Sequence, residues 1–359
     1  MTTGDACDAM GTVQGDEPGA SWEPCGDMLL DVCNLSVVMP HRLGDIHAVR
    51  NFSLRMRPGE RVAILGESGC GKTMTALALL GLLPASARIA GTMRFEGTEV
   101  DLGRPEHIDA LVRRRSGIVF QDSLSSLNPI ARIGTQLEET LLLRGHTRHE
   151  AYEASVRVLA RVGMPDPAAR MRSYPHELSG GMRQRVMISM ALLAKPSLLI
   201  ADEPTTALDS TVQAQVIDLI RSVQAENEMG LLLITHDLAM AAELCERAIV
   251  MYAGYVVEDV PMSVLLRGSA HPYAQALLAA MPRLGTPGNV PLNTIDGELP
   301  STRETFDACP FSSRCAFRDE QCMVGLPPIR ALGSHRMVRC VHPRLDFPAQ
   351  ADARTPGAP

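Results

Sequence analysis

Between about Met28 and Glu258 the chain alternates short β-branched apolar runs with segments whose apolar residues recur at helical spacing. RVAILG (61–66) reads as a strand closed by glycine, and the helix after it is expected to reach about Leu83, before Pro84. SLLIAD (197–202) and LLLITH (231–236) read as two more buried strands. STVQAQVIDLIRSVQ (210–224) places Val212, Val216, Leu219, Ile220 and Val223 on one helical face. Strands alternating with helices predict an α/β domain around a largely parallel sheet.

Two stretches break this rhythm. About 131–178 has no strand character, and Thr147 with Glu150 forms a capping box for a helix carrying Val156, Leu159 and Val162. A helical subdomain is expected there. After Glu258 the composition shifts. HPYAQALL (271–278) closes the domain at Met281, and 282–300, rich in Pro, Gly, Thr and Asn, reads as a linker. A small extension with four cysteines follows over 301–347, then a polar tail over 348–359. Residues 1–27 are acidic and Gly-rich with no apolar stretch, so they read as a disordered leader and not a secretory signal.

The longest apolar stretch, 74–91, is broken by Pro84, Ser86 and Arg88. It falls short of the ~18–20 unbroken residues a membrane span requires, so a soluble chain on the cytoplasmic side is expected. A net charge of −7 argues against nucleic acid as the main partner. One Trp, five Tyr and seven Phe leave the core to aliphatic residues, with the 19 Met as fillers. Arg113–Arg115 reads as a solvated face. Of nine cysteines, Cys7, Cys25, Cys33, Cys70 and Cys245 are scattered, whereas Cys309, Cys315, Cys322 and Cys340 crowd the last 51 residues. In a chain without a secretory signal, clustered thiols point to a metal or cluster site before disulfides.

GESGCGKT (66–73) fits G-x-x-x-x-G-K-[ST] and lies between a strand and a helix, as a phosphate loop must. Its glycines, Gly66, Gly69 and Gly71, let backbone N–H groups of Gly66, Glu67, Ser68, Gly69, Cys70 and Gly71 turn toward phosphate oxygens. Lys72 is expected to reach the β- and γ-phosphates of ATP and Thr73 to hold Mg²⁺. Cys70 reads as a tolerated small residue whose thiol would expose the site to alkylation. Asp202 and Glu203 end the strand SLLIA. One acid there can hold Mg²⁺ and the second can orient the attacking water.

LSGGMRQR (178–185), just upstream of SLLIADEP, closes the question of class. The order of motifs over about 28–281 resembles the ATP-binding subunits of ABC transporters. The resemblance implies a P-loop NTPase fold of ABC type with a helical subdomain, and an ATPase as the activity. It implies that Ser179, Gly180, Gly181 and Gln184, with Asp209 of ALDS (207–210), contact ATP held by a second subunit. It implies that Gln121 of VFQDSLSSLNP touches Mg²⁺ and water, that Glu203 activates water, and that His236 contacts the γ-phosphate. One departure stands out: Leu43, near His41 and His47, occupies the position where family members often carry an aromatic that stacks on adenine. One loop and one LSGG per chain make half of each site, so the resemblance implies a homo- or heterodimer docked on two transmembrane permease subunits. An extracytoplasmic solute-binding protein would be an indirect partner.

QDSLSSLNP, SYPHELSGGMRQRVMISMAL, ADEPTTALDSTVQAQ and HPYAQALLAAMPRL narrow the likeness to the oligopeptide/dipeptide importer subfamily, bacterial or archaeal, which also handles nickel. CPFSSRC (309–315) with Cys322 and Cys340 resembles that subfamily's C-terminal extension, which favours a [4Fe–4S] cluster. Four thiolates suit tetrahedral zinc equally. The cysteines lie far in sequence from every ATP motif, which predicts a structural or assembly role for them. A soluble ABC protein acting elsewhere and a non-hydrolysing regulatory module are the other readings. The former usually carries two nucleotide domains or a long coiled coil, and the latter is opposed by intact Gln121, Glu203 and His236.

Overall fold

Alternate residues of the run Arg61–Leu65 face opposite cores. Val62 and Ile64 join Leu198, Ile200, Leu232 and Ile234 on one side of the central sheet. Ala63 and Leu65 join Leu199, Ala201, Leu231 and Leu233 on the other. A strand buried on both faces carries no polar alternate, which is why each of these strands is a continuous apolar run.

The computed structural model describes residues 28–103, 108, 110–121, 126–206, 208–281, 294–333 and 335–344. The expected leader, most of the linker and the tail lie outside the described residues, as do Cys7, Cys25 and Ala207. The strands are β1 (Leu30–Met39), β2 (Ile46–Met56), β3 (Arg61–Leu65), β4 (Arg88–Phe95), β5 (Thr98–Asp101) and β6 (Ser116–Val119). They continue as β7 (Leu198–Asp202), β8 (Gly230–Thr235), β9 (Arg247–Tyr252), β10 (Tyr255–Pro261), β11 (Arg330–Ala331) and β12 (Met337–Val338). The main helices are α1 (Lys72–Leu79), α2 (Ile133–Leu142), α3 (Arg148–Arg161), α4 (Gly180–Leu193), α5 (Ser210–Asn227), α6 (Leu238–Leu244) and α7 (Pro272–Ala279).

The large sheet has the order β11-β12-β10-β9-β3-β8-β7-β6. β9, β3, β8, β7 and β6 run parallel, while β10, β12 and β11 pair antiparallel at one edge. A second sheet, β2-β1-β4-β5, is antiparallel throughout and was not foreseen from the pattern. Register shifts interrupt the β1–β2 pairing, and β4 buries only Met93 and Phe95, so neither shows a clean alternation.

α1 stops at Leu79, short of Leu83. Gly81 adopts φ +62, its N–H reaches Ala78 O, and the N–H of Leu82 reaches Leu77 O. That is a Schellman ending, and Gly81 is its signal, ahead of Pro84. Among the described residues, 131–178 holds helices and no strand. Thr147 and Glu150 cap α3 reciprocally, with the N–H of Thr147 on Glu150 Oε2 at 2.8 Å. The extension adds β12 to the sheet edge, pairing Glu258 with Val338 and Asp259 with Met337. Beneath that edge the buried Glu258 carboxylate accepts the N–H groups of Ala270 and His271 and the Nε–H of Arg336, each at 2.9–3.0 Å. A buried carboxylate is tolerable only with such donors around it.

Candidate active site

The phosphate loop leaves β3 and enters α1 through a gap that only glycine can pass. A Cβ on Gly66 would lie 2.3 Å from Met251 O, and one on Gly71 2.1 Å from Ala48 O. Both adopt positive φ, +154 and +106. The Lys72 ammonium is buried and donates to Gly66 O at 2.7 Å and Glu67 O at 3.0 Å, across the mouth of the loop. Ser68, Gly69 and Thr73 stand at the surface. Cys70 is buried, and burial pushes its thiol up, which opposes the sensitivity to alkylation read from the sequence.

Asp202 ends β7 only 3% exposed. Burial pushes its carboxyl up, while a hydrogen bond from Thr73 opposes that rise. Its Oδ1 has no partner. An orphaned buried carboxylate oxygen beside a hydroxyl is a cost unless a cation shares it. The all-oxygen donors fit a hard cation such as Mg²⁺.

Glu203 gathers the other catalytic residues expected from the sequence. Gln121 Nε2 and Thr206 Oγ1 each donate to its Oε2 at 2.9 Å, and His236 Nδ1 lies 2.9 Å from its Oε1. Burial pushes the Glu203 carboxyl up, but the hydrogen bonds of His236 and Thr206 outweigh it and hold the group below the usual carboxylate range. The residue sits at φ +45, with its N–H on Ile234 O at 2.8 Å. A non-glycine held there stores about 1–3 kcal/mol of strain, a pattern found where geometry serves chemistry.

The expected second-subunit contacts separate into two kinds. Ser179 caps α4 with its Oγ accepting from Met182 N at 3.4 Å, and Ser179 and Gly180 are exposed. Asp209 is exposed and caps α5 through Val212 N at 2.9 Å. Gly181 is needed within the chain, because a Cβ there would lie 2.5 Å from Val212 Cγ1. Gln184, the remaining expected contact, lies on α4 and is only 3% exposed within this chain. Leu43 stands 74% exposed, its N–H on His41 Nδ1 at 3.1 Å, while His47 N donates to Thr302 O of the extension.

In the extension Cys309, Cys315, Cys322 and Cys340 all carry thiols outside any disulfide. Cys309 N donates to Cys322 O at 3.0 Å. Burial pushes up the thiols of Cys309, Cys315 and Cys340, the last to about 11, and neighbouring cysteines of the set add to each rise. Asp319 and His342 converge on Cys322, with His342 Nε2 at 2.6 Å from Asp319 Oδ2.

Two residues that sequence reasoning missed touch the phosphate loop. Tyr273 OH accepts the N–H of Glu67 at 2.9 Å. Arg314 Nη1 and Nη2 donate to the two Glu67 carboxylate oxygens at 2.8 and 3.0 Å. Both lie in segments already singled out, HPYAQALL and CPFSSRC, but only the fold brings them to Glu67. Distance in sequence misled: the cysteine segment abuts the ATP motif.

Comparison with known proteins fits this arrangement. The family model described as ABC transporter matches residues 49–206, and that described as oligopeptide/dipeptide transporter, C-terminal region, matches 257–322. A putative peptide import ATP-binding protein of Brucella melitensis is 44% identical over 327 residues, covering 87% of this chain and 96% of that protein. The oligopeptide transport ATP-binding protein OppD of Escherichia coli is 45% identical over 319 residues, covering 88% and 94%. Among solved structures, a dimeric ATP-binding cassette in a post-hydrolysis state with ADP and Pi superposes with a TM-score of 0.58 at 26% identity, covering 65% of this chain and 98% of that one.

Proposed function

The chain belongs to the ABC transporter ATP-binding family, and from that premise we propose that it binds and hydrolyses ATP to energise import of peptides through a membrane transporter. The observation that carries the reading is the single network joining Gln121, Thr206 and His236 to Glu203, next to Asp202, Thr73 and the phosphate loop. Peptides are the solute class because the named relatives are peptide and oligopeptide proteins over nearly their full length. A nickel or other small-solute importer is the second reading within the same subfamily.

In this mechanism the backbone amides of 66–71 and Lys72 receive the β- and γ-phosphates, since they concentrate positive potential at a helix start. Thr73, Asp202 and Gln121 would hold Mg²⁺, which would supply positive charge against the phosphates. Glu203, kept ionised, accepts a proton from the attacking water. His236 holds that carboxylate in place and lies where it can face the γ-phosphate. Ser179, Gly180 and Asp209 present exposed polar groups to ATP on a second ATP-binding subunit, identical or related. Among the described residues no helix is long and apolar enough to cross a membrane, so coupling requires transmembrane permease partners. Peptide-stimulated ATP hydrolysis and uptake by the transporter reconstituted in vesicles test this. Uptake of a labelled peptide that stops without ATP supports the reading. Uptake of nickel alone selects the second reading, and neither activity removes both.

For the cysteines, the reading is a [4Fe–4S] cluster or a zinc ion held by Cys309, Cys315, Cys322 and Cys340, whose soft thiol donors suit either, although the ligand atoms that converge to within 4.8 Å among the described residues are those of Asp319, Cys322 and His342. Metal analysis on protein purified without oxygen distinguishes about four irons from one zinc, and neither metal ends this part of the reading.

A further inference from the structure

Glu67 places a carboxylate in a loop that takes up a polyanion. Its carboxylate adds negative charge where phosphate must come. Arg314 answers that charge with a bidentate pair, and its side chain is only 3% exposed. Every part of the guanidinium is anchored. Nε donates to Asp296 O at 2.9 Å, Nη2 to Ile295 O at 3.0 Å, and Nη1 approaches Tyr252 OH at 3.4 Å. Gly297 closes over the stem at φ +81, where a Cβ would lie 3.2 Å from Arg314 Cγ. Phe311, three residues earlier, packs edge-on against Tyr252 and tilted against Tyr273, with ring centroids 5.2 and 5.4 Å apart. Tyr273 in turn holds the Glu67 N–H. One surface of the extension thus grips the side chain of Glu67 while α7 grips its backbone.

We propose that Arg314 is a positioning residue for nucleotide binding: by neutralising the Glu67 carboxylate and holding it on the extension, it makes the cysteine-bearing extension a working part of the ATP site. This rests on the ATP-binding reading above. It gives the extension a role beyond stabilising the fold, because Arg314 lies between Cys309 and Cys315 in the chain, within the turns that join them.

The test is a double-mutant cycle on the full-length chain, reading the equilibrium Kd and the KM for ATP. Arg314→Ala leaves Glu67 uncompensated, and ATP binding weakens about tenfold, or about 1.4 kcal/mol. The loss shrinks between about 0.05 and 0.5 M salt, because the repulsion is screened. Arg314→Lys restores part of the affinity, keeping the charge but not the fork. Glu67→Gln removes the charge that needs neutralising and tightens ATP by about two- to threefold on the same logic. The decisive member is the double variant Glu67→Gln, Arg314→Ala, whose affinity returns to within about twofold of wild type. A loss that persists in the Glu67→Gln background, or an Arg314→Ala protein with wild-type affinity, overturns the proposal. Should Arg314→Ala fail to fold, the same cycle with Arg314→Gln, which removes the charge but keeps most of the side chain, decides, a deficit relieved by Glu67→Gln being the supporting result. Wild-type chain that binds ATP without hydrolysing it would count against the ATPase reading and leave this cycle intact, since Kd is read directly.

Discussion

The phosphate loop has two flanks built to different standards. On the catalytic flank, Gln121, Thr206 and His236 meet Glu203 through one contact each, and Gln121, Thr206 and His236 are exposed. On the opposite flank, Tyr252, Tyr273, Phe311 and Arg314 form a buried aromatic and cationic block joined by ring packing and by the many hydrogen bonds of Arg314. The contrast follows from the work each side does. On the proposed mechanism, groups that exchange partners with nucleotide are held singly and near solvent, so rearrangement costs little. Groups that hold the loop still are packed and over-determined, as supporting shells must be. Damage to the first flank should therefore appear in turnover, and damage to the second in affinity.

The largest effect is expected at Glu203. Glu203→Gln keeps ATP binding but lowers turnover by about 10²–10⁴-fold, the usual range for losing a general base. Steady-state turnover beside nucleotide binding checks it, and wild-type turnover would remove Glu203 from its role. Next comes the trans contact. Ser179→Ala in the assembled transporter should lower kcat about tenfold or more, within what single anion-binding donors contribute, while monomer affinity for ATP is unchanged. Ser179 sharpens this better than Gly181, whose replacement also strikes Val212.

A smaller effect concerns pH. The folded value of Glu203 is depressed, so its ionised form is present above that value and is lost as pH falls through it. His236→Ala removes a hydrogen bond that holds the value down and leaves burial pushing up. The acid limb of the residual turnover should move to higher pH; an unmoved limb would show that another group titrates there. Last, Cys315→Ser on the opposite flank should abolish any brown colour, loosen the extension to proteases and raise the KM for ATP several-fold, up to about the tenfold expected of Arg314→Ala. Loss of colour with unchanged KM would separate the cysteines from Arg314.

How much of this the sequence carried depended on how local each signal was. The phosphate loop, the Asp202–Glu203 strand end and the capping box at Thr147 are contiguous motifs, each with its physical reason inside a few residues. The antiparallel sheet was hidden because register shifts in β1–β2 blur the period of two. Gln184 lies in a motif that opens on the exposed Ser179 and Gly180, and only the packing of α4 turns it inward. The bond from Arg314 to Glu67 joins residues 247 positions apart, and nothing local at either end announces the other.

Measuring kcat and KM for ATP side by side in Glu203→Gln and Arg314→Ala tests the central claim most directly. The account predicts a collapse of kcat with nucleotide affinity retained in the first, and a rise of about tenfold in KM with kcat at saturating ATP within about threefold in the second. If both variants lose the same parameter in the same proportion, the two flanks do not divide the work and the account is contradicted.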